Sequence, residues 1–436
     1  MKNMKKMFCL LLALVMTMAM VACGGNNADP TEPEAPVEEV TNESGERIYE
    51  GVKLVYWSNW EAVETQGQII TEAVNEFMEE TGAIVDLQFK GRTGIKEGLI
   101  PALDADQQVD LFDGAGNKSN YGDRIISVED LMSDEYEAAG NAAMMALCRS
   151  YYADGQTREI PYQMKGNGVF YNKDLFAQAG IESVPTTWAE FVDVCAKLQA
   201  AGITPLTTDD AYTPQQFGIH LARMLGTDAV KAVVNDGLWA ETPEVLATAQ
   251  AIESLAKAGY YSNLVASNAF PTGQNTEFAT GMVAMYVNGS WLPNEVRSIT
   301  GDTFNWGFFN YPEVENGING TEAMVIGCQS FAITNKCENT EAAFALIAKI
   351  TRGTWDAKLA QGTLGLPIDN ANTTWPTQLA DCKEYFDACT EIFAVSGGLE
   401  NNPDITPSLK PNLQLLYSGA ITAQEFVDAM ETASQG

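Results

Sequence analysis

Two short stretches bring together residue types that could hold a small polar molecule: Ser58-Asn59-Trp60-Glu61 and Asp113-Gly114-Ala115-Gly116. An indole face accepts apolar C–H surface, while carboxylates and amides hydrogen-bond hydroxyls. Pockets built this way are mostly apolar with a few placed polar groups. The chain has eight Trp and 58 Asp+Glu but a single histidine, His220. One imidazole rules out a multi-histidine zinc site. A Ser-His-Asp triad would have to use His220, which lies in a helical stretch and reads as a helix residue instead. No G-x-G-x-x-G follows a strand, and neither G-x-x-x-x-G-K-[ST] nor H-E-x-x-H occurs. A G-x-S-x-G elbow is also absent. Paired carboxylates suited to glycoside hydrolysis stay open, because so many acids make any one pair uninformative.

The elements that would position those stretches can be read from spacing. Val52–Ser58 is an apolar strand. Thr65–Gly82 places Ile69, Ile70, Ala73, Val74, Phe77 and Met78 at helical spacing before Gly82. Ala83–Phe89, Ile95–Ala105 and Val109–Asp113 continue as strand, helix and strand. The alternation predicts βαβ units and a parallel sheet, and ligands of open α/β sheets sit beyond the carboxyl ends of the strands. Pro185–Glu190 opens a second unit with a capping box from Thr187 to Glu190. Further helices are expected at Pro214–Leu225, Pro243–Ala258, Glu341–Thr351, Gln378–Phe393 and Ala423–Thr432. Strands are expected at Gly168–Tyr171, Val283–Val287, Asn305–Phe309 and Gln329–Ile333. Trp188 and Trp239 read as packing residues beside helix starts.

The 436 residues exceed what one hydrophobic core of roughly 250–300 residues can serve, so two domains are expected. The formal net charge of −33 excludes a nucleic-acid or polybasic membrane-surface role, which needs clustered Lys and Arg. Met1–Lys6 carries Lys2, Lys5 and Lys6, and the uncharged run Met7–Ala22 follows. It is short for a membrane span and fits a secretory signal. The segment Gly24–Glu50 is rich in acid and proline and reads as a flexible tether. Cys148, Cys195, Cys328, Cys337, Cys382 and Cys389 show no zinc spacing and read as buried free thiols, although export permits disulfides and their pairing stays open. Cys382 and Cys389 lie on an expected helix, too far apart along it to bridge to each other.

Met20-Val21-Ala22-Cys23-Gly24-Gly25 resembles a lipobox, the site where bacterial lipoproteins are lipidated on cysteine, with Met20 where Leu is usual. Ile160-Pro161-Tyr162, Val169–Phe176 (VFYNKDLF) and Ala179-Gly180-Ile181 resemble a signature of the bacterial extracellular solute-binding proteins of family 1. Val184–Phe191, Phe278–Trp291 (FATGMVAMYVNGSW), Thr363–Pro367 and Leu413–Met430 resemble later blocks of that family, in family order. The resemblance runs from Val52 to the end of the chain. It implies an α/β, two-lobed periplasmic-binding-protein-like fold (type II), with lobes joined by a three-segment hinge. Residues 1–22 would be signal peptide and 23–50 lipidated Cys23 and disordered tether. Residues 50–162 with 318–366 would form lobe 1, and 163–317 with 367–436 lobe 2.

The resemblance also implies a carbohydrate in the interlobe cleft. Trp291, following Asn288-Gly289-Ser290, stands where the family presents a stacking aromatic. Trp60, with Asn59 and Glu61, would face the cleft or pack in the core. Asp113 serves as a sugar ligand or as a turn cap, and Arg92 as a ligand fork or a solvated cation. Lys165 stands where the family has a polar, frequently acidic, contact. Tyr212 and Gln216 border a helix that offers a ring to the sugar. The expected protein is a non-enzymatic, lipid-anchored receptor on the outer face of a bacterial cytoplasmic membrane, of Gram-positive type and monomeric. It would pass an oligosaccharide to the permease subunits of an ABC importer, with no cofactor, metal or nucleic acid. A polyamine ligand, which would suit acidic aromatic surroundings, stays open. So do a surface glycoside hydrolase and a non-transport sugar sensor or adhesin.

Overall fold

A computed structural model describes residues 39–42, 45–301 and 303–435. The expected signal peptide, Cys23 and the tether as far as residue 38 lie outside the described residues. The chain divides into two compact units: residues 39–164, 328–363 and 367–374 form the first, and 165–327, 364–366 and 375–435 the second.

The chain first lays down β1 (Lys53–Ser58), α1 (Thr65–Thr81), β2 (Ile84–Phe89), α2 (Gly91–Asp104) and β3 (Leu111–Ala115). Strand β1 is parallel to both β2 and β3, as the alternation predicts. Two short helices follow, α3 (Asp134–Ala139) and α4 (Ala142–Ser150). Strand β4 (Ile160–Asn172) then begins in the first unit and ends in the second. The second unit continues with α5 (Lys173–Gln178), α6 (Trp188–Ala200), β5 (Thr204–Thr207), α7 (Thr213–Leu225), α8 (Thr227–Asp236) and α9 (Pro243–Lys257). After these come α10 (Gly273–Ala279), β6 (Val283–Gly289), α11 (Leu292–Thr300) and β7 (Trp306–Phe309). Strand β8 (Ala323–Ile333) returns to the first unit, which α12 (Thr340–Thr351) and α13 (Gly353–Gly362) complete. The second unit closes with α14 (Cys382–Ala388), β9 (Glu391–Phe393), α15 (Thr406–Tyr417) and α16 (Ala423–Ser434).

In the first unit, the end of β8 runs antiparallel to β3, with Asp113 opposite Phe331. Successive strand residues point to opposite faces, so each face has its own core. Tyr56, Leu111 and Phe331 pack with Phe77 and Ile347 on one side. Trp57, Phe112 and Ala332 pack with Leu99 and Leu103 on the other. In the second unit, β6 runs antiparallel to β4 and parallel to β5, and β7 runs antiparallel to β4. Phe191, Phe217, Trp239, Met285, Phe309, Leu413 and Phe426 centre its core. The capping box of α6 forms as the sequence predicts, between Thr187 and Glu190.

Some expectations are corrected. Residues 39–50 do not belong to a free tether: Val40 donates to Glu80 O and Tyr49 to Thr81 O, both at 2.9 Å. Ile48 donates to Val40 O at 3.0 Å, and the Tyr49 ring lies 6.1 Å from that of Phe77. Two backbone hydrogen bonds and the Tyr49 ring thus fasten this stretch to the end of α1. Residues 318–327 group with the second unit because β8 starts there, and 367–374 group with the first. There Asn141 donates to Ile368 O and Ile368 to Asp356 Oδ1, each at 2.9 Å. The helix expected over Gln378–Phe393 is shorter: α14 stops at Ala388, and β9 pairs in parallel with β8. Cys382 opens α14 and Cys389 lies just past its end.

Candidate ligand-binding site

Each unit holds a polar and aromatic cluster that includes sequence-predicted residues. In the first unit, β1 and β3 end side by side. Asp113 Oδ1 accepts from the Asn59 backbone N–H at 2.6 Å and from Asn59 Nδ2 at 3.1 Å. Its Oδ2 accepts from the hydroxyls of Tyr56 at 2.8 Å, Tyr162 at 3.0 Å and Ser58 at 3.2 Å. Asp113 is fully buried. Burial pushes its carboxyl upward, and the Asn59, Tyr56 and Tyr162 donors work against that shift. Five protein donors consume both oxygens, so Asp113 fixes the 58–60 loop. Trp60 is buried and donates from Nε1 to Tyr162 OH at 2.8 Å. The Arg92 guanidinium lies 4.6 Å from the Trp60 ring centroid and grips Glu64 with two bonds of 2.6 and 2.7 Å. Glu61 is exposed, and its backbone N–H donates to Glu64 at 2.7 Å. Asn59, Trp60, Arg92 and Asp113 therefore come together, with Glu61 at the margin.

The second cluster forms where β5 and β6 end. Asp209 Oδ1 accepts from the backbone N–H groups of Ala211 at 2.6 Å and Tyr212 at 2.7 Å, which sets the turn into α7. Its Oδ2 accepts from Tyr286 OH at 2.7 Å. Tyr212 OH accepts from Trp291 Nε1 at 3.0 Å and donates to Glu295 Oε1 at 3.3 Å. Asn275 Nδ2 donates to Glu295 Oε2 at 3.1 Å. The Tyr212 ring lies 6.0 Å from Trp291 and 5.2 Å from the partly exposed Phe270. Burial raises the Glu295 carboxyl to about 7, against the pull of Asn275 and Tyr212. Tyr212 and Trp291 are half-buried, so part of each ring stays exposed.

Gly289 explains the local sequence: a Cβ there would lie 2.2 Å from the Trp291 ring. Only glycine lets the indole fold back over the end of β6. Asn288 is fully buried on that strand; its Oδ1 takes the Gly289 N–H, and its Nδ2 has no protein partner. Gln216 is buried on α7 and accepts from Tyr261 OH at 2.7 Å, apart from the Tyr212 bonds. Lys165 is half-buried at the start of the second unit, with its side chain beside Gly327. His220 is buried against Tyr311 OH at 3.1 Å and the edge of Trp188.

The sequence reading missed Asp209, Asn275 and Glu295. Asp209 follows β5, whose four residues include Pro205 and offer little strand signal. Glu295 lies one helical turn after Trp291, a spacing that places both on one face.

In α/β units of this kind, small solutes bind beyond the carboxyl ends of the strands, where these clusters lie. The family model for bacterial extracellular solute-binding proteins matches residues 61–352, and the chain belongs to that family. A binding protein of Brucella abortus (strain 2308) is 26% identical over 279 residues, 61% of this chain and 64% of that protein. The chain thus spans about three-fifths of that relative. The diacetylchitobiose binding protein DasA of Streptomyces coelicolor is 24% identical over 229 residues, 51% of this chain and 48% of DasA. A solved chitin oligosaccharide binding protein shares the fold, with a TM-score of 0.71 at 19% identity over 88% of this chain and 98% of that one.

Proposed function

We propose that this chain is an exported receptor that binds an uncharged oligosaccharide and hands it to the permease subunits of an ABC importer. Cys23 carries the lipid that holds it at the outer face of the membrane. The observation that carries the sugar assignment is the Trp291–Tyr212–Glu295–Asn275 cluster, in which two rings adjoin a carboxylate and an amide. Rings take the C–H faces of a pyranose, and the carboxylate and amide take its hydroxyls. Asn59, Trp60 and Arg92 form a separate polar and aromatic group in the first unit, where Asp113 fixes the 58–60 loop. The name of the relative DasA supports a chitin-type oligosaccharide as the first candidate.

The test is calorimetry and thermal shift on the full chain with chito-, xylo- and malto-oligosaccharides, polyamines and glycerol phosphate. A sugar at about 100 times its Kd adds about 2.7 kcal/mol to stability. Trp291→Ala should weaken that sugar at least tenfold, about 1.4 kcal/mol. Binding confined to polyamines or phosphates would overturn the sugar assignment. An unchanged Kd in Trp291→Ala would overturn the role of the cluster.

A further inference from the structure

Two thiols far apart in sequence meet inside the first unit. Cys148 lies in the last turn of α4, and Cys328 is the residue at which β8 enters that unit. Their sulfurs are 3.8 Å apart, in van der Waals contact, and the two residues are 0% and 2% exposed. The strand is held in place there: Gly116 donates to Cys328 O at 3.1 Å. A disulfide needs the sulfurs at about 2.05 Å, a closure of under 2 Å that two side chains can share.

We propose that Cys148 and Cys328 are joined by a disulfide in the exported protein, formed by exchange with a small-molecule or protein disulfide outside the cytoplasm. One protein thiol loses its proton, and its thiolate attacks the external disulfide. A mixed disulfide forms and one external thiol leaves. The second protein thiolate attacks the protein sulfur of that mixed disulfide and expels the other external thiol. Two protein thiols are oxidised to one S–S bond, and one external disulfide is reduced to two thiols. Contact with Cys328, together with burial, pushes the Cys148 thiol well above its usual range, which disfavours the attacking thiolate in the folded chain. The bond is therefore made as the chain folds. It ties α4 to β8 across 180 residues and restricts the unfolded chain. Exported compartments permit such bonds. The setting thus rests on the export reading, but the pairing can be tested without it.

The test refolds the purified, reduced full chain with oxidised glutathione. Alkylation after denaturation and peptide mapping then follow. The expected result is a linked pair of peptides containing Cys148 and Cys328, with Cys195 and Cys382 alkylated as free thiols. Reduction should lower Tm by several degrees. Cys148→Ser and Cys328→Ser should each abolish that response, and Cys195→Ser should keep it. Full alkylation of Cys148 and Cys328 after refolding, or pairing of either with another cysteine, would overturn the proposal. Export failure would show separately, as retention of the chain with its signal peptide in the cell.

Discussion

His220 is the only imidazole in the chain, which makes its environment directly measurable. Burial, helped by the Arg223 charge, lowers its pKa to about 3. The unfolded chain protonates near 6.5, so the neutral folded form is favoured above that value. Stability is lost as pH falls from about 6.5 toward 3. A tag-free protein should show one imidazole NMR signal that does not titrate between pH 8 and 4.5. A midpoint near 6.5 would mean that the ring is not enclosed. Glu295 behaves in the opposite sense. Its folded pKa of about 7 exceeds the ordinary carboxyl value of 4.5, so the folded state holds its proton longer. Its contribution is most favourable below about 4.5 and is lost as pH rises through 7. Glu295→Gln removes that loss. Relative to wild type, it should gain stability between pH 5 and pH 8, on the order of 1–3 kcal/mol. Urea unfolding at the two pH values measures the difference, and equal differences at both would contradict the buried carboxyl.

Elements with a long amphipathic repeat were legible in the sequence. The spacing of Ile70, Val74 and Phe77 predicts α1, and the same holds for α7, α9 and α16. Short elements whose place depends on a distant partner were not legible. Glu391-Ile392-Phe393 continues an apolar rhythm that reads as helix, yet it pairs with the start of β8, nearly 70 residues earlier. Periodicity carries no information about an open ladder edge. The candidate site divides in the same way. Trp291 stands out in the sequence because its loop resembles a family block, Tyr212 because it borders a helix start, and Trp60 because it follows the first strand. Glu295 and Asn275 do not, because their role arises where α10 and α11 pack together. The seat of Trp291 supplies an element-scale prediction. Gly289→Ala drives a methyl into the indole and should cost about 1–3 kcal/mol. In a Trp291→Ala background the same change should cost little. Urea unfolding of the four proteins gives the cycle, and additive costs would show that the ring does not require the glycine.

At the scale of the whole molecule, charge decides how fold and ligand respond to salt. With 58 acids against 25 Lys and Arg, most carboxylates have no cation to pair with. Several of the ion pairs, such as Arg124–Asp104 and Lys383–Asp387, join well-exposed side chains, whereas Lys118–Glu159 is buried. Exposed pairs contribute little each, so screening them costs little. The surplus negative charge repels itself in the compact state more than in an expanded chain. Raising NaCl from about 10 mM to about 300 mM shortens the screening length from about 30 Å to under 10 Å. Tm should therefore rise by a few degrees, and a fall would mean that attractive pairs outweigh the surplus. The same titration tests the ligand class. An uncharged oligosaccharide should bind with a Kd constant within about twofold across this range, whereas an anionic solute should bind more tightly as salt rises and a polyamine more weakly. A Tm that rises with salt beside a sugar Kd that does not change is the combination expected of an acidic receptor for a neutral solute. A steep salt dependence of the Kd would reassign the ligand by the sign of its charge.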